Sequence, residues 1–271
     1  MNNNLNLFRL IPLMAFICLA LLSAAGTVHA ANGNLSLVSM GTGDPENMSL
    51  RARKAIESAD LFFSMGKRES HPELIKGKPV YEAEHGLFGE GGAKPRRSAE
   101  AAAKLREENR KLIRTAVAAG KNVVILDNGD PTIFGPQIGY MKEFSDLKPV
   151  VIPGISSFNA ANAALQTSVV SGKSRAIMLT SGSLAHGRDD FLAGAVNEGV
   201  TLALFMVRDL EKFIDTMSAK VPRETPVAIV SNAGSSSREK VVIATLGTLS
   251  EKIKGIDLGA YLLYIGESIK G

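Results

Sequence analysis

The chain has 271 residues, of which 45% are apolar and 21% charged, so it can bury a core and is not of disordered composition. Its one cysteine, Cys18, excludes a disulfide scaffold and any multi-cysteine zinc or iron–sulfur site. A net charge of +4 is too small and too dispersed to point to a nucleic-acid partner.

Residues 1–30 read as a signal peptide. Arg9 precedes a run of 16 residues from Leu10 to Ala25, broken only by Pro12 and Ser23. Val28-His29-Ala30 then offers the small residues that a signal peptidase accepts. The expected product is an exported, periplasmic protein beginning at Ala31. The alternative is a membrane anchor formed by residues 10–25, a stretch short for a span of roughly 20 residues.

Strands and helices then alternate. Asn34–Ser39 is a short strand ending in a Gly-rich turn, and Ser49 caps a helix with apolar positions Leu50, Ala52, Ala55, Ile56 and Ala59. Leu61–Phe63 is a second strand. Lys67–Lys78 reads as a polar loop and His85–Arg97 as a basic, Gly-rich one. Ser98 opens a helix whose stripe is Ala102, Leu105, Leu112, Ile113 and Ala116, with Gly120 at its C-terminal end. Asn122–Leu126 is continuously apolar, as buried parallel strands are, and Val150–Ile152 is another strand.

After Pro153-Gly154 an Ala-rich helix spans Ile155–Gln166. Strands follow at Ala176–Leu179, Leu202–Met206, Val227–Val230, Val241–Ala244 and Tyr261–Ile265, with helices near Asp189–Val196 and Asp209–Ala219. The pattern predicts an α/β protein of two lobes, 31–153 and 154–271, the first mostly parallel and the second mixed. A cleft between two such lobes is a usual ligand site.

Three turns follow strands directly: Gly41-Thr-Gly-Asp-Pro-Glu46, Asn128-Gly-Asp-Pro-Thr-Ile-Phe-Gly135 and Pro153-Gly-Ile-Ser-Ser157. Glycine lets backbone approach a ligand, and strand-end turns of α/β sheets line the ligand crevice. Ser156 and Ser157 begin a helix, whose free amides suit a carboxylate. Any one of these turns is equally well an ordinary glycine turn, and Gly41-Thr-Gly43 is neither a dinucleotide fingerprint nor a Walker loop.

Taken in order, the motifs resemble the tetrapyrrole (corrin/porphyrin) methylase family, which uses S-adenosylmethionine. The matching stretches are Leu37–Glu46 with Leu50–Ala52 and Ser58–Asp60, Leu126–Gly135, Val151–Ser157, Thr201–Met206, and Thr225–Gly234 with Thr245–Leu249. The last looks closest to the precorrin-4 methyltransferase branch. The resemblance covers about Asn34 to Lys270 and implies a bilobed homodimer with the cofactor folded between the lobes.

Carried over motif by motif, cofactor contacts come from Thr42, Asn128, Gly129, Asp130, Ile133, Ser156, Ser157, Met206 and Ala233. Asp130 either holds an amino group or caps its turn. The macrocycle would meet Asp44, His85 (a possible metal ligand), and the cations Lys94, Arg96 and Arg97, which suit acetate or propionate groups. Plain surface residues are the other reading of His85 and of the basic loop.

The chain departs from the family pattern at Ser39, where a glycine is usual, and at Thr42, where a proline is usual. Ser64 and Met65 stand where some members carry an acid/base Asp, so no catalytic residue carries over, and no metal site is expected. The function implied is S-adenosylmethionine-dependent methylation of a tetrapyrrole or related macrocycle. The alternative, suggested by the export signal, is a non-catalytic relative that binds or traffics haem or a corrinoid in the cell envelope.

Overall fold

The computed structural model describes residues 33–65, 72–89 and 95–269. The expected signal peptide and its cleavage point lie outside them, as does Lys94.

The first half forms one parallel sheet from β1 (Leu35–Ser39), β2 (Leu61–Ser64), β3 (Val80–Glu82), β4 (Val123–Asp127) and β5 (Val150–Ile152), in the order β3-β2-β4-β1-β5. Its centre is buried on both faces, which accounts for the unbroken Val-Val-Ile-Leu of β4. Helix α1 (Leu50–Ser58) starts where the Ala52 amide donates to the Ser49 hydroxyl at 3.1 Å. It lays Ala52 and Ile56 on Val38, Phe62 and Val124. After the single-turn α2 (Pro72–Ile75), the twenty-residue α3 (Ala99–Ala118) covers the opposite face with Ala102, Ile113, Ala116 and Val117. A short α4 (Gly139–Glu143) brings Tyr140 into that layer.

The second half begins with α5 (Ser157–Leu165) and builds a mixed sheet from β6 (Ala176–Ser181), β7 (Val200–Phe205), β8 (Pro226–Ser231), β9 (Lys240–Thr245) and β10 (Tyr261–Ile265). The order is β6-β7-β10-β8-β9; β6 and β7 run parallel and the other pairs antiparallel. The short α6 (Gly182–Ala185) follows β6. Helices α7 (Asp189–Asn197) and α8 (Leu210–Ser218) cover one face, and α9 (Leu249–Lys252) closes its edge. Helix α5 covers the other with Ala160, Ala161 and Leu165.

The α/β class and the parallel and mixed characters of the two sheets agree with the sequence pattern. The expected polar loop at Lys67–Lys78 is corrected: Pro72–Ile75 is helical, and strand β3 follows it. All three residues of β3 are exposed at the sheet edge, so it lacks the apolar signature of a buried strand. The strand expected to include Met206 stops at Phe205, because Met206 turns into the left-handed region at φ +54°.

Candidate active site

The C-terminal ends of β1, β4 and β5 put the three glycine turns side by side. Gly41 and Gly129 form an isolated bridge, in which the Gly129 amide donates to the Gly41 carbonyl at 2.7 Å. Gly129 sits at φ +66°, where a residue with a Cβ would be strained. A Cβ there would point across the turns, 3.7 Å from the Ser156 Cα and 3.8 Å from the Ser157 nitrogen. Asp130 Oδ1 accepts from the Thr132 amide at 2.8 Å and from the Thr132 hydroxyl at 2.6 Å. The turn-capping role of Asp130 is therefore present. Ser156 caps α5: its hydroxyl accepts from the Asn159 amide at 3.3 Å and donates to Asn159 Oδ1 at 2.9 Å.

The second sheet closes over these turns. The Asp44 amide donates to the Gly234 carbonyl at 2.8 Å, and Asn47 Nδ2 donates to the Thr42 and Gly234 carbonyls at 2.8 and 2.9 Å. The approach is backbone to backbone: a Cβ on Gly43 would lie 2.1 Å from the Gly234 carbonyl. In the other direction, the loop after β4 reaches over to the second sheet, with the Phe134 and Phe205 rings 5.1 Å apart.

Between the two sheets lies a cleft of about 540 Å³. Thr42, Asn128, Gly129, Asp130, Ile133, Ser156, Ser157, Met206 and Ala233 all line it. Met206 is 57% exposed and offers its side chain to the opening, whereas Ala233 is buried. Sequence reasoning missed Phe134, Arg208, Asn232, Arg238 and Tyr261, which also line the cleft. Arg208 and Arg238 bring positive charge to it. Arg208 stands two residues after Met206 and could have been found from that strand end. Tyr261 starts a strand far along the chain, and no local motif points to it. Its hydroxyl donates to the Val207 carbonyl at 2.5 Å, bracing the segment that carries Met206 and Arg208.

The residues expected to meet a macrocycle are placed differently. Asp44, His85, Arg96 and Arg97 are not among the residues lining this cleft. The Asp44 carboxylate accepts from the Ser236 amide at 2.7 Å, and hydrogen bonding by Ser236 holds its carboxyl below the usual range. The Arg97 guanidinium pairs with Glu82 and Glu84, and the Arg96 amide donates to Glu84 at 2.8 Å. The Arg97 charge is thus spent on two carboxylates of the same lobe, one of them, Glu84, only 7% exposed. His85 is half-buried beside this cluster.

One titratable group next to the cleft was not singled out from the sequence. Asp127 ends β4 and is 2% exposed. Burial pushes its carboxyl up to about 6, although the Asn128 amide donates to it at 2.8 Å and the Gln137 amide at 3.4 Å. Its hydrogen bond to Asn128 fixes the entry to the Asn128–Asp130 turn.

Comparisons with known proteins identify the family and the fold. The chain is 30% identical over 246 residues to the cobalt-precorrin-4 C(11)-methyltransferase of Methanocaldococcus jannaschii, covering 87% of this chain and 88% of the relative. It is 30% identical over 240 residues to the siroheme synthase of Nitrosococcus oceani, covering 86% of this chain but 49% of that longer protein. The fold matches the crystal structure of a cobalt precorrin-4 methyltransferase with a TM-score of 0.66 and 22% identity, covering 91% of this chain and all of that one. It also matches uroporphyrin-III C-methyltransferase from Thermus thermophilus complexed with S-adenosylhomocysteine, with a TM-score of 0.61 and 22% identity, over 88% of this chain and 99% of that one. The model of the Tetrapyrrole (Corrin/Porphyrin) Methylases matches residues 34–250, and the chain belongs to that family.

Proposed function

We propose that this chain is a methyltransferase that moves a methyl group from S-adenosylmethionine to a ring carbon of a reduced, carboxylate-bearing tetrapyrrole. The observation that carries this is the convergence of nine motif residues from separate parts of the chain on one cleft of about 540 Å³, within the size range of small-molecule sites. The residues present fit the cofactor. Ile133, Phe134, Met206 and Ala233 offer apolar and soft contact for an adenine ring. The amides at the start of α5 suit its carboxylate, and Asp130 suits its ammonium group. Gly129 leaves the space a side chain would fill.

Bound there, S-adenosylmethionine supplies a methyl group on a positively charged sulfur, which passes in line to an electron-rich carbon. The chain's work is mostly positional, because such a transfer depends on proximity and alignment more than on a protein acid or base. The glycine turns and the α5 terminus fix one side of the cleft, and the Tyr261-braced segment fixes the other. Arg208 and Arg238 hold carboxylates of the macrocycle at the opening. The named activities of the similar proteins favour cobalt-precorrin-4 and uroporphyrinogen III as the first substrates to try. Nothing among the described residues favours binding without turnover.

The test is incubation of the purified chain with S-adenosylmethionine and each reduced tetrapyrrole under anaerobic conditions. The expected product is heavier by one or more methyl groups and appears with stoichiometric S-adenosylhomocysteine. Tight binding of both compounds with no mass change would favour the carrier alternative.

Three companion proposals concern the chain as a whole. The lobes divide at 153/154, where the first sheet has ended and α5 begins the second. Residues 1–30 direct export and are removed after Ala30, supported by the order of Arg9, the Leu10–Ala25 run and Val28-His29-Ala30. The mature protein is a homodimer. N-terminal sequencing of the protein from cell envelopes and sedimentation of the 31–271 chain test the last two.

A further inference from the structure

We infer that Ser39 is a positioning residue for the cofactor: its hydroxyl locks the three glycine turns into one surface. Ser39 ends β1 and is fully buried, in register with Asp127 of β4. Its hydroxyl accepts from the Gly41 amide at 2.9 Å, which belongs to the first turn. The same hydroxyl donates to the Gly129 carbonyl, in the second turn. It also fills the place that a Cβ on Gly154 would take, in the third turn. One buried O–H thus satisfies two backbone groups and packs against a third segment, using its single donor and an acceptor lone pair.

A glycine in place of Ser39 would leave the Gly41 amide and the Gly129 carbonyl without this partner. Buried backbone groups are almost always paired, and the turns would loosen to find water or a new geometry. Gly129 lines the cleft, and Gly154 precedes Ser156 and Ser157 by two and three residues, so their looseness is felt at the cofactor rather than at the chemistry.

The inference rests on the proposed cofactor role of the cleft. The experiment is calorimetric titration of wild type, Ser39→Ala and Ser39→Gly with S-adenosylhomocysteine, together with steady-state kinetics. Ser98→Ala, which removes a hydroxyl cap at α3, serves as the control. Both Ser39 variants are expected to bind about tenfold more weakly, the effect of one or two lost hydrogen bonds. KM for S-adenosylmethionine should rise while kcat stays within about twofold, and Ser98→Ala should bind like wild type. Wild-type affinity in both Ser39 variants, or an equal loss in Ser98→Ala, would overturn the role of Ser39. Failure of wild type itself to bind would overturn the cofactor role of the cleft instead.

Discussion

The two lobes reach the cleft by different means. The first brings strand-end glycines close, with Gly43 at φ +73° and Gly129 at φ +66° lining the cleft, alongside the side chains of Ile133 and Phe134. The second contributes Met206 at φ +54° and Asn232 at φ +48°, non-glycine residues in the left-handed region, as Phe134 of the first lobe is at φ +60°, together with Gly259 at φ +55°. A non-glycine residue there costs of order 1–2 kcal/mol. Such strain persists only where the surroundings over-determine it. The strand ends differ too: β4 ends in the buried carboxylate of Asp127, whereas β7 and β8 end in Phe205 and Ser231. The lesson is a division of emphasis: the first wall turns mainly on glycines that allow close approach, and the second mainly on residues that supply shape and contact.

The sharpest way to break this division is to give the glycine wall a side chain. Gly129→Phe should weaken S-adenosylhomocysteine binding by at least about 100-fold, or about 3 kcal/mol, because the ring enters the gap above Ser156 and Ser157. A variant that binds within a few-fold of wild type would remove Gly129 from the site. Gly43→Ala tests the closure of the lobes rather than the ligand. Its Cβ would strike the Gly234 backbone, and urea unfolding should show a loss of about 3 kcal/mol.

Asp127→Asn sharpens the contrast between the strand ends. A carboxyl whose value rises on folding, from 3.8 to about 6, adds stability at low pH. That stability is lost as pH climbs through this window. The variant should therefore match wild type near pH 4 and exceed it by about 2 kcal/mol at pH 8 in urea unfolding. A wild type that keeps its relative stability across that range would mean that Asp127 is not held in the way its burial implies. The smallest effect is expected on the second wall. Met206→Gly should relieve the left-handed strain and raise stability by up to about 1 kcal/mol, while lowering cofactor affinity about threefold.

Much of the fold was legible because its signals are local. The unbroken apolar run of β4 and the Ser49 and Ser98 caps each mark an element from within its own sequence. Strand β3 and the single-turn helices were not legible, since they are too short or too exposed to carry a period. The residues proposed to hold the cofactor were legible differently, through a family resemblance carried by five motifs in order, of which the glycine turns after strands are only a part. The cations Arg96 and Arg97 could not be placed this way. Their loop shows charge, but only the folded chain shows Glu82 and Glu84 waiting for Arg97. Conversely, Arg238 and Tyr261 join the cleft through the second sheet's antiparallel connections, which no short motif encodes.

The most direct measurement is calorimetric titration of the folded 31–271 chain with S-adenosylhomocysteine. The predicted result is one molecule bound per chain in the micromolar range, abolished in Gly129→Phe. A folded wild-type protein that takes up no S-adenosylhomocysteine would contradict the assignment of the cleft as a methyltransferase site.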